Sequence, residues 1–350
     1  MTGNFTESRP SKSDCRLVVA FVVLGMEQMN EKPFKSIDEQ IALLSSRGLE
    51  ITPDTREILM REGYYSVVNG YKDPFIAADG EGGLNGERFV PGTSFDDLYS
   101  LFRFDMRLRE ITFKYVLRIE SLIKTVATYT FAERHRDGNS YLEPSNYGSQ
   151  REYRELGLSN YGSNMNKLQR SFIDAIEHPR NEAVEYYVET YGYVPIWVLS
   201  STLTFGTIEH FFNLLSRSDQ NLICRRIVDL TNRKVEWHDY LDPINARRAI
   251  DIVVKFRNIC AHDERLYCAR VDRRNPVDYF GFVEYASNFM DILDYLDLIK
   301  SISNLVGKSN QSSTALAHLL DAMGYNAMLD NLLRVGDRIK GGLGDLSQGY

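Results

Sequence analysis

Residues 253–267 read VVKFRNICAHDERLY, and within them Arg257, Asn258 and His262 gather a permanent cation, an amide and a titratable imidazole where an apolar helical pattern could have continued. The planar guanidinium of arginine grips phosphate oxygens in bidentate fashion. Histidine accepts or donates a proton near neutral pH. No serine or lysine nucleophile arrangement stands nearby, and no carboxylate pair has metal-ligand spacing. RNA, however, brings its own nucleophile in the 2′-OH. A histidine that takes the 2′-OH proton, or gives one to the leaving 5′-oxygen, needs only a cation that stabilises the charged phosphorane. The products of such an internal transfer are a 2′,3′-cyclic phosphate and a 5′-OH, and DNA resists it.

Spacing complicates this chemistry. Five residues turn an ideal helix by about 500°, so Arg257 and His262 on one continuous helix point roughly 140° apart. They converge on a substrate only if the helix ends or loosens between them, or if a second chain completes the site. Asp263 and Glu264 fit a helix end near His262. A plainer role competes, because basic and histidine side chains near a helix C-terminus also serve as caps and complement its dipole.

The elements that must position these residues read as helices. DPINARRAIDIVVKFRNICAHDERLY gives a helix over 243–261, with Ile244, Ile250, Val253, Val254 and Ile259 driving its packing. From Phe95 to about Arg134 there is neither Gly nor Pro. That stretch predicts a helix of about 35 residues, roughly 50 Å long, with Leu101, Leu108, Tyr115, Leu122 and Tyr129 in a row seven apart. Its opposite faces carry Arg103, Arg107, Arg109, Lys114, Arg118 and Lys124. Asp105 falls in the apolar row and Glu120 beside it. A polar group in a core stripe is costly unless paired, so both are either inward-facing partners or residues at the stripe's edge.

Ser36, three residues before Glu39, opens a first helix as a capping box, and Gly48 closes it. Thr52-Pro53 reads as an N-cap with proline at the first helical position. Five glycines from Gly80 to Gly92 predict a loop or small hairpin. Residues 136–165 read as a long connection, followed by helices near 165–190, over a segment broken at Gly206, and at 218–230 and 277–305. The fold class is all-α: a helical bundle with a long central helix and an N-terminal helical extension. No glycine-rich nucleotide loop, HExxH motif or internal repeat occurs.

The formal charge of −7 argues against a protein that coats nucleic acid. Between Arg225 and Arg274, however, twelve basic residues face eight acidic ones, which is either a solvated face or a local anion-binding stripe. Four cysteines (Cys15, Cys224, Cys260, Cys268) make no disulfide framework, and without a C-x-x-C pair no zinc site is expected. Cys224 and Cys260 read as small buried hydrophobes, and His135, His178, His210, His238 and His318 as surface or packing residues. CRLVVAFVVLGM, residues 15–26, is too short to span a bilayer and lacks a cleavage site. It reads as a poor signal peptide, a docked element, or translated sequence ahead of the true start at Met26 or Met29; the last is preferred.

The R-x4-H spacing of Arg257 and His262, with Asn258 between, resembles the signature of the HEPN superfamily of helical ribonucleases. Further segments extend the likeness: KPFKSIDEQIALLSSRGL, EGYYSVVNGYKDPF, DLYSLFRFDMRLREITFKYVLRIESLIK and PIWVLSSTLTFGTIEHFF occur, in order with RNICAHDERLY, as in the abortive-infection AbiD/AbiF-like proteins. These are bacterial phage-defence proteins, and the similarity covers about residues 32–305. The resemblance implies a HEPN-like domain over 95–305, preceded by a non-core segment (1–31) and the helical extension (32–94), and followed by a helical segment and tail (306–350). It implies a cytoplasmic, metal-independent, cofactor-free endoribonuclease acting as a toxin in abortive infection. In it Arg257 and His262 are catalytic and Asn258 is their polar companion; Asp105, Arg118 and Glu120 are possible supports. Such nucleases commonly act as homodimers with two motifs facing across a two-fold axis, which would resolve the spacing difficulty. A regulatory non-coding RNA or an antitoxin is a further possible partner; a membrane is not expected. Two other readings stand beside it: a catalytically silent module that binds RNA or protein, and, more distantly, a nucleotide-modifying activity.

Overall fold

A computed structural model describes residues 34–77, 87–231 and 241–334. The non-core segment 1–31, most of the glycine-rich loop, His238 and the C-terminal tail lie outside them. The described chain is all-α, with β-type pairing confined to three isolated bridges.

Helix α1 (Ile37–Ser46) begins on the expected capping box: Ser36 Oγ accepts from Glu39 N at 3.3 Å and Glu39 Oε2 accepts from Ser36 N at 2.7 Å. Helix α2 (Thr55–Glu62) starts two residues later than Thr52-Pro53 predicts. Thr52 is not its cap; its hydroxyl instead reaches Asp96 of the next long helix at 2.8 Å. A π-helical turn, Tyr65–Asn69, follows. The bridge between Ile76 and Phe89 closes the base of the glycine-rich loop, as a small hairpin would.

Helix α3 (Phe95–Arg134) runs for 40 residues, about 60 Å, from a second capping box at Ser94 and Asp97. It is the axis of the molecule. The row seven apart begins as predicted, with Leu101, Leu108 and Tyr115 buried, but Leu122 is half-buried and Tyr129 is 58% exposed. The cause is geometric: seven residues fall about 20° short of two helical turns, so a strict seven-residue row drifts off the core face of a straight helix. Ile119, Ile123, Val126 and Ala127 continue the buried stripe instead.

The predicted connection 136–165 contains α4 (Gln150–Glu155) and the start of α5 (Tyr161–Glu177). The single helix predicted near 165–190 is two, because α5 ends before Pro179 and α6 (Glu182–Tyr191) restarts from an Asn181 cap. After α7 (Ile196–Leu199), the break predicted at Gly206 lies earlier. Thr204 caps α8 (Phe205–Leu214), and Gly206 sits in its first turn. Helix α9 (Arg217–Leu230) and helix α10 (Pro243–Ala261) lie as expected. The segment 277–305 divides into α11 (Tyr279–Ser287) and α12 (Ile292–Ser312), the latter capped by Asp291. Helix α13 (Thr314–Ala322) and a last helix over 325–334 complete the description.

Helix α3 packs against α7, α8, α9, α10, α12 and α13, and α10 packs against α8 and α11. One continuous core runs from Leu44 to Leu329, so the N-terminal extension shares it with the bundle. Cys224 and Cys260 are buried in this core, as expected, and burial pushes both thiols up to about 12. Among the described residues no helix is long and apolar enough to cross a membrane.

Candidate functional site

Asp242 starts the motif helix α10 by accepting from the backbone N–H groups of Ile244 and Asn245 at 2.7 and 2.8 Å, with Pro243 at the first position. Ala246, Ala249, Ile250, Val253, Val254 and Phe256 are buried. Ile244, expected to help pack this helix, is exposed: Pro243 and Ala246 face the core in this turn, and Ile244 falls on the outward side.

The helix ends where the chemistry begins. Ala261 is its last residue and His262 its C-cap. Asp263 takes the left-handed conformation (φ 54°), and Glu264 N donates back to Ile259 O at 3.1 Å, which is the Schellman closure. Glycine usually fills that left-handed position; aspartate is among the few residues that tolerate it. The backbone therefore does the capping, and the His262 imidazole is left exposed, with no side-chain hydrogen bond to the described residues.

Arg257 and His262 do not meet within one chain. Arg257 is turned to α3, where its Nε donates to Glu120 Oε2 at 3.2 Å and its guanidinium lies 6.0 Å from the centre of the Phe113 ring. Lys124 holds the other oxygen of Glu120 at 2.8 Å. His262 instead lines an open cleft of about 860 Å³, which Arg257 does not line. Asn258 is exposed on the helix between them.

Of the three possible supports, Glu120 contacts Arg257 and Asp105 contacts the segment that follows the motif. Asp105 is wholly buried and anchors the segment just after it, accepting from Leu266 N at 3.1 Å and Tyr267 N at 2.6 Å. The Tyr71 hydroxyl donates to the same carboxylate at 2.7 Å, and Arg109 Nη1 at 2.6 Å. Burial holds the Asp105 carboxyl above its ordinary range; the Tyr71 hydroxyl, the Arg109 charge and the two backbone donors offset only part of that rise. Arg118 is a correction: it is ion-paired with Asp294 on α12, away from the motif, because it falls on the exposed side of α3. Arg109 is another. Expected on a solvent face, it is buried four residues from Asp105, and also donates to Tyr71 Oη at 3.1 Å.

Sequence reasoning did not single out the cleft's other wall. Glu62, Tyr65, Ser66 and Asn69 of the N-terminal extension face His262, Arg265 and Arg270. Arg265 links the two walls, donating to Gly70 O at 3.1 Å and to Asp73 at 2.8 Å. The acid–base spacing of Asp105 and Arg109, four apart on a helix, was the available signal for that pair; Tyr65 and Arg270 carried none. Elsewhere on α10, Asp251, Arg247 and Lys255 surround Glu209 of α8, and burial, then the Asp251 charge, pushes its carboxyl up to about 7.

The family model described as "Abi-like protein" matches residues 57–268, a span that holds the π-helical turn, α3 and the whole of α10 with His262. No curated protein and no solved structure matches the chain.

Proposed function

The chain belongs to the Abi-like protein family, which places it in abortive infection, the defence of bacteria against phage, and from that premise we propose that it is a metal-independent endoribonuclease of the HEPN type. The observation that carries this reading is the exposed imidazole of His262, without a partner among the described residues and set by a backbone-capped helix end on a cleft that three arginines line. In the proposed reaction His262 takes the proton of a ribose 2′-OH as the oxygen attacks the adjacent phosphorus. The P–O5′ bond breaks, the 5′-oxygen leaves with a proton, and a 2′,3′-cyclic phosphate remains. Arg257, oriented by Glu120, neutralises the phosphorane oxygens.

The separation of Arg257 from the His262 cleft supports a composite site. Two chains related by a two-fold axis would supply an acid, a base and their arginines to one scissile phosphate. A homodimer is therefore part of the proposal, with RNA as substrate and a non-coding RNA or an antitoxin as its restraint.

The test compares the wild type with His262→Ala on end-labelled cellular RNA in excess EDTA. Fragments ending in 2′,3′-cyclic phosphate from the wild type alone support the reaction and the role of His262. Equal cutting by both proteins removes His262 from the site. Binding without cutting favours the second reading, a silent RNA- or protein-binding module, for which the Glu120 pairing that already occupies Arg257 is the specific observation.

A further inference from the structure

The cleft beside His262 has a wall that no catalytic role explains. Tyr65 stands on the π-helical turn at 80% exposure, on the lining, with its hydroxyl free of hydrogen bonds to the described residues. π-Helical turns are rare and are frequently found at functional sites. This one is held firmly from behind, since Tyr71 is fixed to Asp105 and Arg265 grips Gly70 O. An aromatic ring on a rigid support, open to a cleft, is a stacking platform.

The charges point the same way. Of the arginines in the cleft, Arg109 is committed to Asp105 and Arg265 to Asp73, while Arg270 is exposed with no carboxylate partner among the described residues. The lining also holds Glu62, Asp263 and Glu264. A surface of such mixed charge does not hold a polyanion by charge alone, so a bound RNA must gain its affinity from another contact. A base stacked on an aromatic side chain supplies it, and only an unpaired strand can offer that base. The volume of about 860 Å³ is in the range of sites for ligands of nucleotide size.

We propose that this cleft takes single-stranded RNA, with one base stacked on Tyr65 and a neighbouring phosphate held by Arg270. The inference rests on the ribonuclease reading and assigns the N-terminal extension the job of presenting an unpaired segment to His262. Duplex RNA, with its bases already stacked on one another, gains nothing from Tyr65.

The test uses the full chain carrying His262→Ala, with a fluorescein-labelled mixed-sequence RNA of about twelve nucleotides and its duplex, read by fluorescence polarisation. The single strand binds about ten-fold or more tightly than the duplex, and adding Tyr65→Ala removes about ten-fold of that affinity while Tyr65→Phe keeps it. Arg270→Ala weakens binding and lowers the salt dependence by the equivalent of about one phosphate contact. If the parent binds RNA and Tyr65→Ala binds equally well, or the duplex binds as tightly as the single strand, the stacking platform is wrong and the ribonuclease reading survives. If the parent fails to bind but the wild type cuts RNA, the platform again falls alone. If neither binding nor cutting occurs, both fall together.

Discussion

Arg257 Nε lies 3.2 Å from Glu120 Oε2, joining the motif helix to a residue 137 positions earlier on the long central helix. The carboxylate is itself held by Lys124 one turn further on. The pair fixes the direction of a guanidinium that on a free helix would sweep solvent. Glu120→Gln is expected to lower RNA cleavage about ten- to a hundred-fold while leaving RNA affinity near the wild-type value, because orientation rather than charge is lost. Arg257→Ala is expected to cost about 10²–10³-fold. Single-turnover cleavage beside polarisation binding separates the two, and a Glu120→Gln enzyme that cuts at the wild-type rate would remove the positioning role.

Asp105 carries a heavier structural burden. It receives two backbone N–H groups of the post-motif segment, the Tyr71 hydroxyl and the Arg109 guanidinium, all buried. Removing one partner of a buried ion pair leaves the other charge uncompensated, so Asp105→Ala is expected to lose about 3 kcal/mol or more. Tyr71→Phe, which deletes one hydrogen bond, should cost about 1 kcal/mol. Urea unfolding midpoints measure both, and equal midpoints for wild type and Asp105→Ala would contradict the network.

The left-handed backbone at Asp263 offers a test of the helix end itself. Asp263→Gly is expected to hold or raise stability by about 0.5 kcal/mol, since glycine adopts this conformation without strain. Asp263→Val, β-branched and forced to the same φ, should lose about 1–2 kcal/mol. Cleavage should follow stability in the valine variant, because the same turn aims His262. Thermal melts and cleavage of the two variants side by side decide it.

Glu209 predicts a pH dependence. Its folded value, pushed up to about 7 by burial and Asp251, exceeds the ordinary 4.5, so between these values the folded chain binds more protons than the unfolded one. Stability therefore falls as pH rises from about 5 to about 7. Glu209→Gln removes this penalty and is expected to stabilise the protein by roughly 2 kcal/mol at pH 8, and by little at pH 5. A difference that does not grow between those pH values would show that the carboxyl ionises freely in the fold.

Much of this architecture was legible in the residues. The run from Phe95 to Arg134, free of Gly and Pro and with apolar residues at helical spacing, announced a long helix, and Asp263 and Glu264 marked the end of the motif helix α10. Asp105 was half visible: its place in the apolar row left it either an inward-facing partner or a residue at the stripe's edge, and it is the former. What the sequence hid was partner choice. Arg109 and Arg118 stand nine residues and so about 180° apart on one helix, but nothing local says which partner each finds: one is buried against Asp105 and the other meets Asp294 on a helix distant in sequence. Tyr65 was hidden for a related reason: its role depends on which wall it faces, and local periodicity carries no record of that.

The carbonyl of Tyr267, five residues past His262, accepts the hydroxyl proton of Tyr325 at 3.0 Å. Tyr71, Asp105, Tyr267 and Tyr325 thus close one turn from stretches spread over most of the chain. On the ribosome, this closure has to wait until residue 325 has emerged. Synthesis itself imposes an order in which the scaffold is laid down first and the arm that carries His262 is locked only once Tyr325 can reach it.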